Sequence, residues 1–428
     1  MKNIRYYLYW GLYALTGGKK RKHYDEIAKI YHQEGDYNSI ISKRLDDILE
    51  YACQKTSFYK NFNPKNIKSF PIISKKDVNE NYNSFFSEDY VNKKDSLRVM
   101  TTSGSTGATF RIYQNPEKVL RNKMDILFFY EIGNYDIGDK LYYIRVWTHL
   151  NKKSKKSLFI ENFEMVDTSN MSKNRWDSFK KSMLKYKKPK VILSYASSLT
   201  DFVNSLSDYE KKLEWNVKSV FSGAEELPLN TKKKLEDIFK CPVISRYSNQ
   251  EMGMFAQQPV TGEDYFLTNE ASYHFEFLKI DSDEEANEGE LARIVVTDLF
   301  NKAVPLIRYD TGDLCTFETK NGRKHIKTIH GRKLDVLKNR NGDIFSPYVI
   351  ILLLWNFEGI IQFQLIQEDL DTIRLRLVHS FENKAIVFQQ IEKELKQRFG
   401  EHTTIKIEEV NEIPIEKTGK RRYIISNI

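Results

Sequence analysis

Between two strand-like stretches, SLRVM and TFRIYQ, the chain runs through Val99–Phe110, VMTTSGSTGATF. Two glycines, Gly104 and Gly107, stand among Thr101, Thr102, Ser103, Ser105 and Thr106. The β-branched and apolar flanks predict a hairpin, and glycine permits a tight turn between its strands. Hydroxyls and backbone N–H groups on such a turn suit a polyphosphate. An ordinary Ser/Gly turn would use the same residues. The Walker loop is excluded, because it leads from a strand into a helix and requires Gly-Lys-Ser/Thr, a spacing this sequence lacks.

The rest of the chain falls into three textures. Tyr24–Tyr59 reads as helical, with Ile27, Ile30, Tyr31, Ile40, Ile41, Leu45, Ile48, Leu49 and Ala52 at helical spacing. From Tyr90 onward strands and helices alternate. LYYIRVW (141–147), VILSYA (191–196), VKSVFSGA (217–224) and PVISRYS (242–248) read as strands, and DSFKKSMLKY (177–186) and PLNTKKKLEDIFK (228–240) as helices. That alternation predicts an α/β domain around a parallel sheet. From Tyr265 the segments FLTNEASYHFEFLKI, GELARIVVTDL and PLIRYDTGDLCTF predict antiparallel strands, as in a small barrel or meander. After His330-Gly331-Arg332 the pattern resets. FQLIQEDLDTIRLRLV (363–378) predicts a strand hairpin, KAIVFQQIEKELKQRFG (384–400) a helix stopped by Gly400, and TTIKIEEV (403–410) a last strand.

With 428 residues, 40% hydrophobic and 29% charged, the chain is globular and long enough for more than one domain. Its net charge of +9 is spread along the sequence, without the basic stretches interleaved with aromatics that single-strand nucleic-acid binding uses. Cys53, Cys241 and Cys315 are an odd number and far apart, which argues for a reducing, cytoplasmic compartment and against a disulfide framework or a cysteine-rich zinc site. The stretch Tyr6–Leu15, YYLYWGLYAL, lies between Lys2, Arg5 and Lys19-Lys20-Arg21-Lys22. It reads either as a helix packed on the body or as an interfacial helix that rests residues 1–22 on the inner face of an anionic membrane.

Four further segments carry chemistry. SGAEELP (222–228) ends a strand; Gly223 and Ala224 let a flat ligand approach the backbone, and Glu225 can accept from an amine. In RYSNQE (246–251), Tyr247 offers an aromatic face and Glu251 a hard oxygen ligand for Mg²⁺. In IRYDTGDL (307–314), Asp313 follows a Thr-Gly turn, where a carboxylate can bind a ribose diol. PIEKTGK (414–420) presents Lys420 on a turn near the C-terminus. Read singly, each is also an ordinary turn or a solvated side chain.

In this order the five segments resemble the adenylate-forming superfamily of acyl-CoA synthetases and adenylation domains, in particular the branch of phenylacetate–CoA ligases and capsular-polysaccharide ligases. The resemblance spans about Asp25 to Tyr423. It implies a large N-terminal domain, residues 1–334, of parallel α/β subdomains plus a small β-barrel, and a small mobile α+β lid, residues 335–428, hinged at Asp335. It implies an ATP-dependent, AMP-forming ligase acting on a small carboxylic acid, with Mg²⁺ as cofactor and coenzyme A or a sugar or glycan amine or hydroxyl as acceptor.

Carried over by position, Thr102, Ser103, Gly104, Ser105, Thr106 and Gly107 would hold the β,γ-phosphates. Gly223, Ala224 and Glu225 would line the adenine, with Tyr247 against its face. Asp313, helped by Arg332, would bind the ribose. Glu251 would ligate the metal, and Lys420, with Glu251 and Thr106, would complete the catalytic set. Trp147, His149, Tyr195, Ser197 and Ser222 are candidates for the acid pocket. Ala108-Thr109 and Ser248 with Gln250 depart from the usual pattern around the loop and the metal glutamate. The alternatives are a non-catalytic nucleotide-binding relative and a basic protein that binds membrane or nucleic acid.

Overall fold

The computed structural model describes residues 4–14, 18–103, 109–147, 152–168, 173–332, 337–341, 344–345, 347–414 and 422–428. The loop flanks pair as expected: β1 (Arg98–Ser103) and β2 (Thr109–Gln114) form an antiparallel hairpin with Ser103 opposite Thr109.

The central sheet has seven strands: β3 (Lys140–Arg145), β4 (Phe163–Asp167), β5 (Lys190–Tyr195), β6 (Val217–Gly223), β7 (Val243–Asn249), β8 (Gly253–Gln257) and β9 (Leu267–Thr268). Their order is 4-3-5-6-7-8-9. The pairs from β4 to β7 are parallel and β7-β8-β9 antiparallel. The parallel core is therefore the one the β/α alternation predicts. β5 is buried along its whole length, as a strand covered on both faces must be. One face packs on Trp176, Phe179, Leu199, Phe202 and Trp215, the other on Met124, Phe128, Phe129 and Ile27.

The antiparallel region is a four-stranded meander of β10 (Tyr273–Leu278), β11 (Ala292–Asp298), β12 (Tyr309–Lys320) and β13 (Arg323–Arg332). FLTNEASYHFEFLKI, part of the expected antiparallel region, divides between β9 and β10. The break follows from buried polar bonding: Asn269 Nδ2 donates to Met254 O, and Ser272 Oγ lies between Arg121 Nε and Asp125 Oδ1, each at 2.7 Å. Arg121 and Asp125 belong to the helix Pro116–Ile132, whose buried Lys118 pairs with Asp298 at 2.7 Å. This buried charged cluster leaves no mark in the periodicity of the sequence.

The C-terminal residues close a core of their own around Leu337, Ile350, Leu354, Phe363, Leu375, Ile391, Leu395 and Ile424. After the short pair β14 (Leu337–Lys338) and β15 (Ile344–Phe345), β16 (Ile360–Gln367) and β17 (Thr372–His379) form the expected hairpin. The helix Lys384–Phe399 and β18 (Thr404–Glu409) follow. A further strand, β19 (Ile424–Ser426), adds parallel to β16 at the opposite edge; at three residues it carries too little pattern to read. The aromatic stretch near the N-terminus is the helix Ile4–Ala14, with Tyr6, Tyr9 and Trp10 packed inward and Ile4, Tyr7 and Leu8 exposed. No described helix is long and apolar enough to cross a membrane.

Candidate active site

Glu251 lies in the turn between β7 and β8. It is buried, and its Oε1 accepts from the Tyr309 hydroxyl at 2.9 Å and lies 2.8 Å from Lys75 Nζ. Gln114, at the end of the hairpin, donates to the Glu251 carbonyl at 2.9 Å. The Phe110 ring lies nearly parallel to that of Tyr309, 6.4 Å away. The hairpin that carries the hydroxyl loop is thus anchored to Glu251 by a side-chain bond and by ring packing. Lys75 opens the helix Lys75–Glu80, capped by Ser74. It is held there by Ile73, whose backbone bonds Arg308 and Asp310 beside Tyr309. Burial and the Glu251 carboxylate push the Tyr309 phenol well up, so it stays a donor.

A second pair stands beside the first. The Tyr247 hydroxyl donates to Asp313 Oδ2 at 2.7 Å. Asp313 follows a tight turn in which Gly312 has φ 77° and donates to Asp310 Oδ1 at 2.8 Å. The Tyr247 ring is buried against Phe255, so it presents its hydroxyl and an edge rather than an open stacking face. Burial, then the Asp313 charge, raises its phenol far above the ordinary value. Arg332 lies opposite Asp313 at the end of β13.

Gly223 closes β6, and the next residue, Ala224, takes a left-handed φ of 70°. A side chain there costs on the order of 1 kcal/mol, a strain found where the chain must turn sharply beside a site. Glu225 Oε2 accepts from Ser197 N at 2.8 Å, at the start of the helix Ala196–Asn204. A carboxylate at a helix N-terminus is favoured by the dipole. Glu226 has its carboxyl pushed up to about 8 by burial. Of the acid-pocket candidates, Trp147, Tyr195, Ser197 and Ser222 are buried, and the Ser197 and Ser222 hydroxyls have no hydrogen-bond partner among the described residues.

Gly104, Ser105, Thr106, Gly107, His149, Asp335 and Lys420 lie outside the described residues, and of Thr102, Ser103 and Arg332 only the backbone is described. Among the described residues Glu251, Tyr247 and Asp313 come together, joined by Lys75 and Tyr309, which the sequence gives no reason to single out. Glu225 is engaged on the helix start instead.

Among the described residues no group of three or more His, Cys, Asp or Glu side chains could hold a metal ion. One carboxylate, Glu251, fits a magnesium ion whose other ligands are phosphate oxygens and water. Lys75 provides the cation at that carboxylate in the protein alone.

This fold matches that of solved ligases. The chain superposes on 2-hydroxyisobutyryl-CoA ligase in the postadenylation state with a TM-score of 0.71 at 17% identity, over 92% of this chain and 90% of that one. It superposes on ATP-bound MatB from Rhodopseudomonas palustris with a TM-score of 0.58 at 15% identity, over 76% and 66%. The chain has the fold of the adenylate-forming acyl-CoA ligases. Within that fold it is similar to Protein CapK of Staphylococcus aureus, 26% identical over 431 residues, 95% of this chain and 93% of CapK. Residues 337–427 match the family model of the CapK C-terminal domain.

Proposed function

We propose that the chain is an ATP-dependent, AMP-forming ligase that activates a carboxylic acid and passes the acyl group to an acceptor. The observation that carries this reading is the junction of Glu251–Tyr309 with Tyr247–Asp313, which brings a metal carboxylate and a ribose carboxylate beside the base of the hydroxyl hairpin. A carboxylate oxygen attacks the α-phosphorus and the bond to pyrophosphate breaks, giving acyl-adenylate. The acceptor then attacks the acyl carbon and AMP leaves. Two anions meet in the first step, so positive charge must be held in line. Bound magnesium supplies Lewis-acid neutralisation of the phosphates. Glu251 holds that charge, Asp313 orients the ribose with Tyr247, and Gly223, Ala224 and Glu225 border the adenine. Residues 102–107 hold the β,γ-phosphates, with Thr106 and Lys420 serving the transferred group. Residues 335–428 move about Asp335, carrying Lys420 in and out.

The acceptor is coenzyme A or a sugar amine or hydroxyl. The ligase neighbours support the first, since 2-hydroxyisobutyryl-CoA ligase was crystallised with CoA; the likeness to capsular-polysaccharide ligases supports the second. The protein works in the cytoplasm and touches the inner membrane surface through its first 22 residues. Supporting this, the Arg5 guanidinium lies 5.0 Å over the exposed Phe159 ring. That joins the exposed face of the Ile4–Ala14 helix to Lys152, Lys153, Lys155 and Lys156, an apolar face with basic flanks. ATP–pyrophosphate exchange over a carboxylate panel tests the ligase reading. Pyrophosphate is expected, and release of ADP and orthophosphate overturns it. Liposome flotation tests the contact: unchanged flotation on anionic lipid after removal of residues 1–22 overturns it.

A further inference from the structure

The parallel registers Ile144–Ser194, Tyr195–Gly223 and Ser222–Ser245 extend by one residue into a single row: Arg145, Tyr195, Gly223 and Arg246. These four end or nearly end adjacent strands β3, β5, β6 and β7. In a parallel sheet, residues of one row point to the same face. That face carries Leu193 and Phe221 one turn of the pleat below, in one apolar cluster. The carboxyl ends of parallel strands are where open α/β sheets bind ligands.

The row holds two arginines, and at its outer end on β4 stands a carboxylate, Asp167, which forms no ion pair with either of them among the described residues. The Arg145 guanidinium lies 5.4 Å from the Tyr143 and Trp147 rings and 5.7 Å from that of Tyr195. Its hydrogen bonds go to neutral groups, Val146 O at 3.2 Å and the Tyr143 hydroxyl at 3.3 Å. Asp167, level with it on β4, accepts from the Trp147 backbone instead. Arg246 lies 4.5 Å over Tyr130 and 5.7 Å from Phe221. It reaches Met254 Sδ at 3.2 Å, a weak acceptor, and its buried Nε has no hydrogen-bond partner. Neither arginine forms an ion pair within 4.0 Å among the described residues. Between them Gly223 is bare: a Cβ built there meets no atom within 4 Å.

An unpaired guanidinium half-buried among aromatic rings loses hydration that cation–π contact offsets only in part. Two of them flanking an open glycine form a receptor for negative charge, and the planar fork favours carboxylate, phosphate or sulfate. Three strand spacings separate Arg145 from Arg246, roughly 14 Å between Cα atoms, a span that two extended arginine side chains can bridge through a bound anion. Resting on the ligase reading above, we infer that the acid this site activates carries a second anionic group, seated between Arg145 and Arg246 over Gly223. The reacting carboxylate loses its charge on adenylation, whereas the second anion keeps its charge throughout. The arginines therefore select the substrate and hold the adenylate.

Calorimetric titration of the full chain tests this with matched ligands: succinate against butyrate, glutarate against valerate, and 3-phosphoglycerate against glycerate. At least one dianion is expected to bind ten or more times tighter than its monoanionic partner. Arg145→Gln and Arg246→Gln, each checked for folding by near-ultraviolet circular dichroism, are expected to abolish that preference. The subsite is overturned if no dianion binds, if the members of every pair bind alike, or if both variants keep the preference. Titration with ATP and magnesium in the same buffer reads the underlying ligase proposal separately: absence of nucleotide binding overturns that reading, whichever way the dianions behave.

Discussion

The Tyr247 hydroxyl donates to Asp313 Oδ2 at 2.7 Å, tying the end of the central sheet to the turn that opens β12. A hydrogen bond to a charged group contributes about 1.5–3 kcal/mol. If Asp313 holds the ribose, Tyr247→Phe removes one of the bonds that orient its carboxylate. The expected result is a rise of about 10-fold or more in KM for ATP with a smaller change in kcat, measured by pyrophosphate exchange.

Glu251 is buried and its neighbouring cation is Lys75. Lys75→Met leaves a buried carboxylate whose remaining partner among the described residues is the Tyr309 hydroxyl. Lys75 is about one-third exposed, so the cost is discounted from the buried-pair range to about 1–3 kcal/mol. Magnesium replaces the lost charge, so thermal unfolding is expected to show a larger Mg²⁺-induced rise in Tm for Lys75→Met than for the native chain. An equal rise in both would mean that the ion binds elsewhere.

Lys118 and Asp298 are paired at 2.7 Å with both side chains buried. Asp298→Ala strands the lysine, an expected loss of about 3–5 kcal/mol in urea unfolding. The double variant Lys118→Met with Asp298→Asn is expected to recover most of it, because both buried charges are then gone while the amide oxygen still accepts from Phe300 N and Asn301 N.

Burial pushes the Glu226 carboxyl up to about 8, well above its ordinary value of 4.5. The folded chain therefore holds a proton that the unfolded chain releases. Stability falls as pH rises from 4.5 through 8 and levels off above. Glu226→Gln removes this dependence. Scanning calorimetry is expected to show the variant gaining Tm relative to the native chain most at pH 9, less at pH 6, where only part of the loss has accrued, and little at pH 4.

The lid proposal gives the most direct kinetic test. Lys420→Ala is expected to slow adenylation by a factor of about 10² or more, the scale of one lost transition-state charge contact. Asp335→Pro fixes φ at the proposed pivot and should slow one half-reaction far more than the other. Single-turnover kinetics that leave both unchanged would move the hinge elsewhere.

Much of the fold is legible in the sequence because it rests on local period. The flanks of the Val99–Phe110 stretch give the hairpin, VILSYA and VKSVFSGA give parallel neighbours, and KAIVFQQIEKELKQRF gives its helix. The candidate site is legible only where a motif carries its own turn, as at Gly223, Asp313 and Glu251. Lys75 and Tyr309 stay hidden, because each matters through a partner far away in the chain.

The sequence by itself determined which segments are strands and helices, and which short motifs resemble a nucleotide site. Periodicity and turn chemistry act over a few residues, so a one-dimensional reading reaches them. Only the tertiary structure decided that Glu251 is paired with Lys75, that Glu225 serves the start of a helix, and that Arg145 and Arg246 stand in one row with no ion pair among the described residues. Sheet register and burial set those relations: strands far apart in sequence, those of Arg145 and Arg246, are brought into one sheet with two strands between them. Removal from water then makes each charge depend on whatever the fold brings beside it.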